Sequence, residues 1–235
     1  NNEPPVSIFD GIPLSRQGKL WTITGSVGSP APVFVDLLGG FQVGMNRHSI
    51  RYFLYDRTHG MILEPDMATI DRSLAKGYLP SPIVRWQDEG IETKVSAFVD
   101  PESNIFVSKV RIMNLSTQDR SLSFYAAACP AGIIGGASGN VEMGFSKSLN
   151  SVKTSEYILF SCDEPPHQYG FTGISKRKDR RATDITGYII KGQLPRKSQV
   201  TPQGNQYTSG AVCYNINLAP GDEKVLVFRA SSTPM

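Results

Sequence analysis

Trp86 stands beside three polar residues, Arg85, Gln87 and Asp88, in a grouping that suits carbohydrate binding. An aromatic face can cover the apolar side of a pyranose ring, while neighbouring polar groups fix its hydroxyls. Trp21 is a second aromatic candidate. A tryptophan in a strand often belongs to the core instead, because it buries so much area. The sequence predicts a carbohydrate-binding site formed by Trp86, Arg85, Asp88 and Trp21, with carbohydrate as the partner.

Acidic residues are numerous, but the sequence assigns none of them a catalytic role. Asp88-Glu89 precedes a glycine, Asp163-Glu164 precedes two prolines, and Asp222-Glu223 follows Pro-Gly. These are typical turn sequences. Glycoside hydrolysis needs two carboxylates at a defined separation, which a sequence does not reveal. The catalytic residues are therefore unknown at this stage.

Metal and cofactor sites are not predicted. The three histidines, His48, His59 and His167, lack paired metal-ligand spacings. The three cysteines, Cys129, Cys162 and Cys213, are widely spaced and are expected to be buried free thiols. The glycine-rich stretch 131–139 is followed by no helical period, which a dinucleotide-binding loop requires. We expect no cofactor and no metal.

The charge pattern does not favour nucleic acid or membrane as a partner. The net charge is +3 over 235 residues. The basic run 176–181 lies in an expected loop without interleaved aromatic residues, so a solvated loop is the better interpretation. The longest uncharged stretch, 121–141, contains a proline and several glycines and does not read as a membrane span. The chain begins at Asn1 rather than at Met, and a processed start favours a periplasmic or extracellular location.

Alternation of apolar and polar residues is the strongest structural signal. Ile91, Thr93, Val95, Ala97 and Val99 alternate with polar residues. The ranges 122–128 and 212–218 show the same period of two, which predicts half-buried strands. Further short β-rich runs include 105–113, 157–161, 185–190 and 225–230, and turn sequences separate them.

These strands predict an all-β fold, a large antiparallel two-sheet sandwich with at most one or two short helices. A shift of the apolar phase at Ser108-Lys109 predicts a β-bulge. The spacing of Met67, Ile70 and Leu74, with Asp66 before them, predicts the one helix. The stretch 132–155 is expected to be a long loop or a weak hairpin, and the stretch 162–184 is expected to be a second irregular loop. Without a visible linker, residues 1–235 are expected to form one domain.

Three segments together resemble the N-terminal β-supersandwich domain of certain glycoside hydrolases, which is related to galactose mutarotase. They are residues 82–91 with 95–99, residues 110–116 with 122–124, and residues 218–223 with 225–228. The resemblance implies a supersandwich and a longer chain, in which an (α/α) barrel after this domain carries the catalytic acid and base. It therefore implies a C-terminal helical catalytic domain as a partner. No local motif maps the mutarotase histidine pair onto His48, His59 or His167.

Three functions remain open from the sequence. The first is an ancillary, carbohydrate-facing β-domain of a glycoside hydrolase. The second is a self-sufficient sugar-active enzyme, of the epimerase or lyase type, in which a histidine and a carboxylate converge in a cleft. The third is a structural jelly-roll protein that uses loops and edges for assembly.

Overall fold

The computed structural model describes residues 20–25, 31–45, 48–65, 69–130, 132–133, 141–175, 185–204 and 206–231. Strands dominate this part of the chain, which also contains one short α-helix, α1, at Ile185–Ile189 and a single 3-10 turn at Ala75–Gly77. The strands are β1 Leu20–Thr24, β2 Val33–Asp36, β3 Phe41–Val43, β4 Ser49–Asp56, β5 Met61–Leu63, β6 Asp71–Leu74, β7 Pro82–Asp88, β8 Ile91–Val99, β9 Ile105–Asn114, β10 Arg120–Cys129, β11 Met143–Ser146, β12 Ser151–Thr154, β13 Ile158–Cys162, β14 Gln168–Ser175, β15 Gln199–Val200, β16 Gln206–Leu218 and β17 Glu223–Ser231.

The strands form two antiparallel sheets. Sheet A has eight strands, in the order β1-β2-β3-β4-β10-β16-β14, with β5 paired to β4. Sheet B has nine strands, in the order β15-β11-β12-β13-β17-β9-β8-β7-β6. The chain crosses between the sheets several times, for example from β9 in sheet B to β10 in sheet A. The predicted all-β sandwich is confirmed.

The three alternating segments all form strands, but only β8 is half-buried as expected, because residues 122–129 of β10 and 208–214 of β16 are buried on both faces. In β8, Ile91, Val95 and Ala97 are buried, whereas Lys94 and Ser96 keep solvent access. The ranges 122–128 and 212–218 lie in β10 and β16, which pair directly at the centre of sheet A. Because strand side chains alternate between the two faces, one face of each strand enters the core between the sheets.

Aromatic rings from both sheets meet in this core. Tyr52 of β4 and Phe124 of β10 come from sheet A, and Phe228 of β17 comes from sheet B. The Tyr52 ring centroid lies 5.5 Å from that of Phe124 and 5.4 Å from that of Phe228. Rings at such separations pack favourably beyond their buried area. The cluster therefore joins the two sheets.

Sheet A is buried on its outer face as well. Phe53, Tyr125 and Cys129 point away from the main core and form a second apolar cluster with Ile185 and Ile189 of α1. The residues of β10 between Leu122 and Cys129 are all buried. The helix therefore serves as the outer cover of sheet A.

Two predicted local features are wrong. Residues 71–74, expected in a helix, form β6, an edge strand paired with β7, while Asp66 and Met67 lie outside the described residues. The bulge at Ser108 is absent, since β9 pairs without interruption with β8 and β17. Ser108 occupies an inward position in a regular strand. This polar residue is accommodated there because its hydroxyl accepts a 2.9 Å hydrogen bond from Tyr52.

The structure overturns some of the other expectations and confirms one of them. The range 185–190, expected as a strand, contains α1 instead, because its apolar residues cover the outer face of sheet A. The first expected loop contains the hairpin of β11 and β12, and the second contains β14. The basic run 176–181 lies outside the described residues. The three cysteines are buried free thiols, as predicted.

A buried ion pair ties the end of β4 to β10 and to the other sheet. The Asp56 carboxylate accepts a hydrogen bond from Arg120, and the two side chains are 0% and 4% exposed. Arg120 also donates from Nη1 to the carbonyl oxygen of Glu89, 2.7 Å away, in the β7–β8 turn of sheet B. Asp56 further accepts from Thr58 N at 2.8 Å and from His59 Nδ1 at 2.7 Å.

These partners set the pKa of Asp56. Burial raises the pKa of the carboxyl, but hydrogen bonds from His59 and Arg120 outweigh it and lower the pKa below the ordinary 3.8. A carboxyl with a lowered folded-state pKa stabilises the fold above its unfolded-state pKa. That contribution is lost as the pH falls through the folded-state pKa.

Replacing Arg120 by Met should lower the free energy of unfolding by about 3–5 kcal/mol, because it leaves the Asp56 charge buried without its partner. Chemical denaturation at pH 7 measures this. The control is Arg57→Met in the adjacent turn, where an exposed guanidinium makes one 3.3 Å hydrogen bond to Asn217; its effect should stay below about 0.5 kcal/mol. The Arg120→Met effect should shrink below pH 4, and a cost equal to that of Arg57→Met would contradict the inference.

Candidate functional site

The predicted tryptophan–arginine pair is split between the two faces of β7. Trp86 points into the core between the sheets and is 8% exposed. Arg85, its neighbour in the chain, points outward, and its side chain is 56% exposed. The alternation of the strand dictates this separation. Trp86 is therefore a core residue, which was the alternative to a role in carbohydrate binding, and little of its side chain reaches the surface.

The other two predicted residues lie apart as well. Asp88 ends β7, and its carboxylate accepts a 3.0 Å hydrogen bond from the backbone N–H of Glu64. Trp21 lies on β1, the edge strand of sheet A, and packs partly buried against the main core. The structure does not bring the four residues into one pocket. Carbohydrate binding by them stays a prediction.

Arg85 instead belongs to a row of positive charges across the outer face of sheet B. Arg85 of β7 lies directly opposite Lys94 of β8. Lys94 in turn lies directly opposite Arg111 of β9. We call Arg85, Lys94 and Arg111 the cationic row. Like charges placed directly opposite each other destabilise a sheet, so this arrangement needs compensating carboxylates.

Glu92 supplies most of that compensation. Its side chain is 3% exposed although it points outward, because two arginines cover it. Arg85 Nε donates to Glu92 Oε2 at 2.6 Å, and Arg111 Nη2 lies 2.6 Å from Glu92 Oε1. Glu223 approaches Arg111 Nη1 at 3.3 Å. The alternation in β8 places Glu92 and Lys94 on one face, but only the strand pairing reveals the bridge.

The histidines do not share a site. His48 is buried, and burial lowers its pKa to about 4 because the interior disfavours the charged ring. Its Nε2 lies 2.9 Å from the carbonyl oxygen of Thr208. His59 binds Asp56, and His167 Nδ1 accepts from the backbone N–H of Asn215 at 3.3 Å. Each imidazole therefore has a different, local partner.

A small cavity adjoins His48. Its volume is about 10 Å³, and its lining includes Phe41, Ile50 and Tyr157. That volume corresponds to about one water molecule. No sugar ring fits there, so the cavity does not serve as a carbohydrate site.

The acidic turn residues have structural partners. Asp163 pairs with Arg229, and Glu164 lies 2.7 Å from Lys224. The Asp222 carboxylate accepts from the backbone N–H of Ala219 at 3.1 Å and closes the β16–β17 turn. Within the described residues, no group of three or more histidine, cysteine or acidic side chains could hold a metal ion.

The cysteines lack the environment of a nucleophile. Burial raises the pKa of Cys213 to about 11, because the interior disfavours the thiolate. Burial also raises the pKa of Cys162. Since the thiolate is the reactive form, both thiols are poorly reactive at neutral pH. They act as small apolar core residues.

Comparison with known proteins finds one family match and two similar solved structures. Residues 83–132, which run from β7 to β10, match the family described as glycosyl hydrolase 94, supersandwich domain. Over 98% of its length, the chain is similar in structure to a bacterial glucoamylase complexed with acarbose, with a TM-score of 0.60 and 14% sequence identity. The chain covers 34% of that glucoamylase.

A second solved structure is a proposed kojibiose phosphorylase from the human microbiome. It is similar over 98% of this chain and 31% of its own, with a TM-score of 0.43 and 10% identity. No curated protein sequence matches. This chain thus spans about a third of the length of both solved proteins.

The chain folds as a large sandwich of two antiparallel β-sheets. Its segment from β7 to β10 is similar in sequence to the supersandwich domain of a glycoside hydrolase family, and the resemblance predicted from the sequence is confirmed. As to the membrane, the described residues contain no helix with the length and apolar character needed to cross one.

Replacing Glu92 by Gln should lower the free energy of unfolding by about 1–3 kcal/mol, because it removes charged hydrogen bonds and leaves three cations adjacent. Denaturant unfolding at low and high salt measures this, and added salt should reduce the loss. The matched control is Glu223→Gln. The Glu223 side chain is 47% exposed and makes one 3.3 Å contact, so its loss should cost less than about 0.5 kcal/mol. Equal effects of the two substitutions would contradict the central role of Glu92.

Proposed function

We propose that this chain is the ancillary β-supersandwich domain of a larger glycoside-processing enzyme. Residues 1–235 form one domain in this proposal, and the reacting acid and base lie in a helical catalytic domain elsewhere in the enzyme. The observation that carries the proposal is the fold likeness to the bacterial glucoamylase, which includes 98% of this chain but only 34% of the other. The family match over residues 83–132 supports it.

The state of the polar residues also supports an ancillary role. The closest His–carboxylate pair described is His59 with Asp56, at 2.7 Å. Asp56 is buried, and Arg120 and the backbone N–H of Thr58 already occupy its oxygens. A general base must be able to reach the proton that it abstracts. Asp56 therefore suits a structural role and gives no support to a self-sufficient enzyme.

The division of labour can be tested in the full-length gene product with glycosidic oligosaccharides. Alanine substitution of Asp88, Asp163 or Glu164 should change kcat by less than about tenfold, because loss of a general acid or base costs about 10²–10⁴-fold. A carboxylate outside residues 1–235 should show that larger loss. Loss of activity on replacing one of these three carboxylates, with the fold intact by circular dichroism, would contradict the proposal.

The finer part of the proposal is that the domain faces carbohydrate. Trp21, Arg85 and Asp88 keep solvent-accessible atoms, and Trp86 supports β7 from within the core. Trp21 is the aromatic candidate with the more accessible ring, since it is partly buried on an edge strand. Thr24 of the same strand donates to the carbonyl oxygen of Pro80 at 2.6 Å, which ties β1 to the β6–β7 turn.

Replacing Trp21 by Ala in the full-length protein should weaken binding of acarbose, the ligand of the glucoamylase neighbour. Loss of an aromatic contact worth about 1.4 kcal/mol corresponds to about a tenfold rise in Kd. Isothermal titration calorimetry measures it. Trp86→Phe is the control, because it keeps an aromatic ring in the core and should bind as the wild type does. Unchanged affinity in Trp21→Ala would remove Trp21 from the site.

A further inference from the structure

The two outer faces of the sandwich differ in their cover. On sheet A, α1 buries the outward residues of β10 and β16, such as Tyr125 and Cys213. On sheet B, the outward residues at the centre of the described face keep solvent access. Phe98 is 42% exposed, and Val107 and Val227 are half-buried. An open sheet face with apolar residues at its centre is typical of an interaction surface.

Charge on this face is incompletely compensated. Glu92 and Glu223 bind the two arginines of the cationic row. Lys94 lies between those arginines, and Lys109 lies two residues before Arg111 in β9. Neither lysine forms an ion pair with another of the described residues. Asp71 lies opposite Arg85 at the edge of the sheet. Two lysines are therefore left at the centre of the face, next to the apolar residues.

We propose that this outer face of sheet B, around Lys94 and Lys109, docks an acidic and partly apolar surface of the catalytic domain in the same enzyme. The inference rests on the proposed function. This chain covers 34% of the glucoamylase, so most of that protein lies outside the region that this chain matches. Carboxylates on the partner neutralise the lysines, and its apolar side chains cover Phe98, Val107 and Val227. Desolvated charges at an interface need opposite charges across it.

A second copy of this chain fits the face poorly. A two-fold interface centred on Lys94 would place the cationic row of one copy against that of the other. Like charges across an interface cost several kcal/mol, so the face favours a different, acidic surface.

Lysine acetylation of the native full-length enzyme, measured by peptide mass spectrometry, tests the docking. Lys109 and Lys191 are both exposed in this domain, and Lys191 lies just after the helix on the opposite side. A docked state favoured by about 1.4 kcal/mol should slow acetylation of Lys109 about tenfold relative to Lys191. The substitution Lys109→Glu should accelerate acetylation of Lys94, whereas the matched Lys191→Glu should not.

The outcomes separate this inference from the proposed function. Equal acetylation of Lys109 and Lys191 in an active full-length enzyme overturns the docking face and leaves the ancillary role standing. Protection of Lys109 that appears only when heparin is added overturns it also, because the face then binds a polyanion. A gene product without a catalytic domain overturns the proposed function itself.

Discussion

Burial of the central strands of sheet A on both faces is the constraint on which the rest of the structure depends. The ladder of β10 with β16 extends over nine opposed residues without a register shift. Its inner side chains form the core against sheet B, and its outer side chains between Tyr125 and Cys129 of β10, with Ala211 and Cys213 of β16, are apolar or small. Such a face cannot be left in water without a cost of about 25 cal/mol per Å² of apolar surface. The helix α1 reduces this cost because it covers the outer face of sheet A, which does not contact sheet B.

The polar groups inside the sandwich fix how the sheets meet. Tyr52 reaches across the core to Ser108, and Arg120 reaches from sheet A to the Glu89 carbonyl in sheet B. An apolar core alone tolerates sliding between sheets, whereas a buried donor that lacks its acceptor costs about 1–3 kcal/mol. Each of these contacts therefore favours one register of sheet on sheet. Asp36 acts locally in the same way: burial raises its pKa, while its carboxylate accepts from Leu38 N and Gly40 N and shapes the β2–β3 turn.

The sequence predicts the features of this fold that depend on local periodicity. β8, β10 and β16 alternate clearly because one face of each enters the main core. Ser108 misled the prediction because a core hydrogen bond to a distant tyrosine has no local signature. Residues 71–74 lie in a strand because β7 pairs with them, which overrides a helical spacing of apolar residues. Residues 185–189 have the composition of a strand, but they form a helix whose apolar side chains pack on the outer face of sheet A. Trp86 could not be assigned to core or surface, since either fits a strand.

The contacts of the predicted site residues also depend on strand pairing, which the local sequence does not show. It identifies Arg85 as a polar neighbour of Trp86, but the residues that matter to Arg85 lie on β8 and β9, and only the strand pairing brings Lys94, Arg111 and Glu92 to it. A buried carboxylate between two arginines is strongly coupled to the charges around it, because its neighbours lose their compensation when it is removed. In catalytic carboxylates, by contrast, at least one oxygen must be open to substrate. Glu92 and Asp56 are both saturated by protein donors. The two most buried carboxylates that carry arginine partners thus connect neighbouring strands and leave no oxygen open to a substrate.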